Sequence, residues 1–162
     1  MSLSINKKYK LTLLVLLPFI IGFSIEKLLA IGITKDSQIY LSLGGLLLSI
    51  WTYGGAIFFW FWVGRIFAGL NISTLKSYIM GNTGFGISFI IYTWQFILLD
   101  DTSRNLFIAA ISQHYVLGFV GLGTRILGLF TNSLHGNTII LLSYLLMLIV
   151  FSLGYQSKWM KL

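Results

Sequence analysis

Five apolar runs, at residues 11–30, 39–63, 78–99, 106–130 and 138–155, occupy most of the chain, and almost no charge interrupts them. An α-helix needs about 20 such residues to cross the hydrocarbon core of a bilayer. Inside lipid each backbone N–H and C=O must be satisfied by its own segment or a neighbour, so runs of this length dictate helices. A membrane barrel needs shorter spans of alternating polarity, and none is present. The sequence therefore predicts an all-α fold, a polytopic transmembrane helix bundle of about five spans.

Composition points the same way. Of 162 residues 57% are hydrophobic and 9% charged, and the mean hydropathy is +0.89. That is far outside the range of water-soluble domains. The formal charge of +7 does not indicate nucleic acid. Its basic residues (Lys7, Lys8, Lys10, Arg65, Lys76, Lys158, Lys161) sit at segment ends rather than on a basic face. Cysteine is absent, which removes disulfides, thiolate metal sites and cysteine nucleophiles. The first run follows a basic stretch, as a signal peptide would. It carries Pro18 and then Glu26 and Lys27 without a small-x-small cleavage pattern, so it is expected to remain as the first span.

Orientation follows from lysine and arginine. Lys7, Lys8 and Lys10 precede the first run without an acid, whereas Lys27 and Lys35 are offset by Glu26 and Asp36. The N-terminus is thus expected in the cytoplasm, in a bacterial cytoplasmic or an organellar membrane. Arg65 and Lys76 then fall inside, and Asp100, Asp101 and Arg104 outside. Five crossings would leave Lys158 and Lys161 outside, against the rule; four crossings plus a re-entrant segment would return them. The ambiguous segment is 106–130, with His114, Arg125 and several glycines, which the sequence can break near Gly121 and Gly123. Its length favours a full crossing.

Polar residues in the connectors offer helix starts: Asp36 and Ser37, Ser73 and Thr74, Thr102 and Ser103. Trp60, Trp62, Trp94 and Trp159 lie near segment ends and read as interface anchors; Trp51 falls mid-span and is expected to pack in the bundle or against lipid.

The sharpest pattern lies on the fourth run. His114, Gly118, Gly121, Arg125, Gly128 and Asn132 follow at helical spacing and share one stripe. Small residues of this kind let a neighbouring backbone approach closely. Ionisable groups within a span also mark substrate or ion paths, because burying them is costly. The third run carries a matching stripe of Gly81, Gly84, Ser88, Tyr92 and Gln95. With only a short link between the runs, the two should pack antiparallel. Counted from their shared outer end at about 1.5 Å per residue, Gln95 and Tyr92 lie at depths similar to His114 and Ser88. A hydrogen-bonded cluster of His114 with Tyr92, Gln95 or Ser88 is therefore expected. A milder stripe of Gly45, Ser49, Thr52 and Ala56 reads as helix packing, while the fifth run, with isolated Ser143 and Ser152, is expected to face lipid or a partner.

Other chemistries find less support. Gly86-Ile87-Ser88 with His114, Gly118 and Gly121 is faintly similar to rhomboid proteases, but those place a span between the serine and histidine helices, which are adjacent here. Haem would need two imidazoles at one depth on facing helices, and in a five-span arrangement His114 lies near the outer third of the fourth run and His135 in the connector at its inner end. Haem or quinone stays as a minor reading and the cofactor unknown. No metal site is expected, since two histidines without nearby acids or thiolates fall short of one. The sequon Asn71-Ile72-Ser73 lies on the expected cytoplasmic side and should go unused. Glu26 and Lys27 read as an interfacial pair, and Asp100 and Asp101 as solvated connector charges.

Three functional readings remain. The first is a non-catalytic subunit or accessory factor of a larger membrane complex, or a self-associating protein. The second is permeation of a solute or ion along the His114 and Arg125 stripe. The third is a cofactor-binding membrane protein centred on His114.

Overall fold

The computed structural model describes residues 5–131 and 133–158, with side chains from Tyr9 onward. Asn132, Trp159 and Lys161 lie outside the described residues, as do the side chains of Lys7 and Lys8. Among the described residues the fold is all-α: α1 (Ile5–Thr34), α2 (Gln38–Ile50), α3 (Ala56–Ala68), α4 (Thr74–Gly81), α5 (Thr83–Tyr92), α6 (Leu106–Gly128) and α7 (Gly136–Ser157). A π-helical turn at Trp51–Gly55 joins α2 to α3 into one apolar segment, Gln38–Ala68. A second π turn, Thr93–Leu98, extends α5. Four helices are long and apolar enough to cross a membrane: Tyr9–Thr34, Gln38–Ala68, Leu106–Gly128 and Gly136–Ser157.

The remaining apolar segment is not one continuous helix. It breaks at Asn82, between α4 and α5, where the Asn82 amide donates back to the Tyr78 carbonyl at 3.0 Å. The glycines and polar residues of Gly81-Asn82-Thr83-Gly84 weaken the helix there. The turn from α1 into α2 also has a local cause. Asp36 adopts a left-handed φ of 48°, a conformation Asp tolerates better than most residues. Asp36 N–H then donates to Ile33 O and Ser37 N–H to Gly32 O, satisfying carbonyls that the end of α1 leaves free.

Pro18 lies inside α1 and is fully buried. It removes a donor from the helix ladder. In the same turn the Tyr115 hydroxyl, from α6, donates to the Val15 carbonyl at 3.1 Å. The second segment bends at Gly54, whose φ of 157° is outside the helical region.

α7 is a central element of the bundle, whereas the sequence leads to a helix facing lipid or a partner. Ser143, Tyr144, Met147, Phe151, Gly154 and Tyr155 are buried and recur at spacings of three and four, so they form one inward face. It runs parallel to α3: Trp60 meets Phe151, Gly64 lies against the backbone at Phe151, Gly154 and Tyr155, and Gly69 lies beside Lys158. It runs antiparallel to α4 and α5, since Tyr155 bonds Thr74 O, Tyr78 bonds Ser152, and Tyr92 bonds Asn137.

These directions place α6. Its start follows α5, at the end of the bundle where Tyr92 meets Asn137, the first turn of α7. A 23-residue helix is about 35 Å long at 1.5 Å per residue. The link from Gly128 to Gly136 can reach at most about 28 Å fully extended. Gly121 faces Thr52, and Arg125 lies over Tyr53, well short of the Gly69 and Lys158 end. Both ends of α6 thus lie toward the same end of the bundle. α6 slants between α1 and the second segment on one side and α5 and α7 on the other.

Candidate functional site

α6 carries His114, Gly118, Gly121, Arg125 and Gly128, but its stripe does not face the third apolar segment as expected. Gly118 is seated on Ala56, and a Cβ there would also come within 2.7 Å of the Trp51 indole nitrogen. A Cβ on Gly121 would stand 3.7 Å from Thr52. The small-residue stripes of the second and fourth runs therefore pack against each other. Gly128 faces open space, and Arg125 is exposed, its guanidinium 4.6 Å from the Tyr53 ring centre.

His114 joins neither Tyr92, Gln95 nor Ser88. Its Nε2 bonds the Glu26 carboxylate of α1, its ring stands edge-on between Phe19 and Phe23, and its Nδ1 is buried without a partner. The cause is Gly22. A Cβ there would overlap the His114 carbonyl, so the glycine lets α1 and α6 touch backbone to backbone, one turn from Glu26. Glu26, expected only as an interfacial charge, is thus a bundle contact; its side chain remains 48% exposed.

The third segment's stripe points elsewhere. Gly81 abuts Phe151 and Phe67, and Gly84 abuts Tyr115 and Val15. Ser88 bonds the Tyr144 hydroxyl at 2.7 Å, and both reach the Ser112 carbonyl of α6, at 3.3 and 3.1 Å. Phe85, Phe89 and Tyr92 ring the Tyr144 side chain. Tyr92 donates to the Asn137 side chain at 3.0 Å. Gln95 accepts from Asn105 N–H at 2.9 Å, while its carbonyl accepts from Arg104 Nε at 2.8 Å. Arg104 also pairs with Asp101 at 2.6 Å and lies over Phe96. Tyr144 has only apolar residues at spacings of three and four, and Ser112 contributes its backbone carbonyl, so no side-chain pattern marks either in the sequence.

Helix starts differ too. Ser37 and Ser73 precede helices but cap them without a side-chain bond. Asn105 caps α6, accepting from Phe107 and Ile108 N–H. Thr102 and Ser103 sit in the preceding 3-10 turn, Asp101–Ser103. Trp60, expected at the interface, is buried between Tyr115 and Phe151; Trp62 and Trp94 are each 46% exposed. Trp51 packs inside.

A cavity of about 410 Å³ opens at the Tyr92 and Asn137 end, with Arg104, Gln113 and Phe96 in its wall. The two histidines do not face one another: His135 bonds Ser133 and His114 bonds Glu26. The described residues therefore do not form a bis-histidine haem clamp, and they hold no group of three or more metal-ligating side chains. Comparison with known protein families, curated proteins and solved structures finds no match.

Proposed function

We propose that the chain is a non-catalytic subunit or accessory factor of a larger membrane complex, crossing the bilayer four times with α6 held between the crossings. The observation that carries this reading is that several buried polar side chains bond partners on neighbouring helices. Ser88, Tyr144 and the Ser112 carbonyl close one set, Tyr92 and Asn137 another, and Tyr115 caps the Pro18 turn. Such bonds fix helix positions. None of these three sets contains a histidine or a carboxylate that could serve as a base.

Four crossings suit the charges. Arg65, Lys76 and Lys158 then share one end with the N-terminus, which the positive-inside rule assigns to the cytoplasm of a bacterial cell. Permeation along the α6 stripe draws no support from a seam in which Gly118 rests on Ala56. Purification from cells at native expression in a mild detergent tests the proposal. Other membrane chains in stoichiometric amount are expected; a stable preparation of this chain alone would overturn it.

A further inference from the structure

Arg125 lies in the last turn of α6 and has no anionic partner among the described residues. The described residues hold two ion pairs, Arg104 with Asp101 and His114 with Glu26, and Arg125 is in neither. Its guanidinium lies over the face of Tyr53, and its N–H donors meet no acceptor among the described residues. A guanidinium near the end of an apolar helix reaches toward the headgroup layer, where phosphate oxygens can accept from it. Its planar fork matches the oxygens of a phosphate.

Beside it runs an open groove of about 410 Å³ between the second segment and α6. Leu48, Leu117 and Val120 give it apolar walls, and Ser49 also lines it. Gly121, whose nearest neighbour would be Thr52, keeps the floor low. A cation at one end and aliphatic walls below it complement a molecule with an anionic head and an apolar body.

We infer that this groove binds an anionic phospholipid, with its phosphate on Arg125 and its upper acyl chains against Leu48, Leu117 and Val120. The assignment is independent of whether the chain works within a larger complex. It commits to a lipid rather than free phosphate because the walls below the cation are aliphatic.

The test uses delipidated full-length protein incubated with phosphatidylglycerol or phosphatidylcholine at equal concentration, with bound lipid counted by native mass spectrometry. Wild type should retain phosphatidylglycerol about fivefold better, the size expected for one basic side chain near an anionic surface. Arg125→Gln should lose that preference, whereas Arg104→Gln should keep it. Gly121→Leu, which fills the groove and leaves the charge, should also lower retention and serves where Arg125→Gln does not fold. Equal retention of both lipids by wild type, an unchanged preference in both groove variants, or equal displacement by glycerol 3-phosphate would overturn the assignment.

Discussion

His114 of α6 bonds Glu26 of α1 across 88 positions of sequence, and the contact exists because Gly22, one turn before Glu26, admits the His114 backbone. Gly22→Leu should therefore separate α1 from α6. Overpacking of this kind typically costs about 1 to 3 kcal/mol, read as a lower unfolding midpoint in detergent. Gly45→Ala is the control, since a Cβ there meets nothing within 4 Å; its midpoint should hold or rise slightly.

Ser88 and Tyr144 tie α5 to α7 through a 2.7 Å bond. A double-mutant cycle of Ser88→Ala and Tyr144→Phe should give a coupling of about 0.6 kcal/mol, the usual size for hydrogen bonds between membrane helices. Additive losses would mean that the bond contributes nothing to the docking of these helices.

Gln95 holds the connector after α5 by accepting from Asn105 N–H while its carbonyl accepts from Arg104. Gln95→Leu removes the side-chain acceptor, at a cost of about 1 kcal/mol or somewhat more. Limited proteolysis should then cut residues 100–105 faster than in wild type. Unchanged cleavage would show that Arg104 alone secures the connector.

Helical spacing made the stripes of Gly118 and Gly121, and of Gly81, Gly84 and Ser88, legible in the sequence, because period alone defines a face. It could not say which faces meet. The α6 stripe took Thr52 and Ala56, the mildest candidates, and Ser88 took Tyr144 from a helix that hydropathy rendered featureless. His114 was paired by depth with Gln95 and Tyr92, but depth counting assumed an upright α6. Nor does averaging over an apolar run reveal the interruption at Asn82, where one side chain bonding back to Tyr78 ends α4. Thr102 and Ser103 offer cap chemistry in the sequence but lie in a 3-10 turn followed by extended backbone, so the cap of α6 falls to Asn105.

The return of α6 to the end of the bundle from which it starts separates this arrangement from a five-crossing bundle. The chain contains no cysteine, so single-cysteine variants report topology without background. Asp101→Cys and Ser133→Cys flank α6, and Lys76→Cys and Lys158→Cys mark the other end. In sealed vesicles of one orientation, an impermeant maleimide should label the first two from one side and the last two from the other. Labelling of Asp101→Cys and Ser133→Cys from opposite sides would contradict the arrangement.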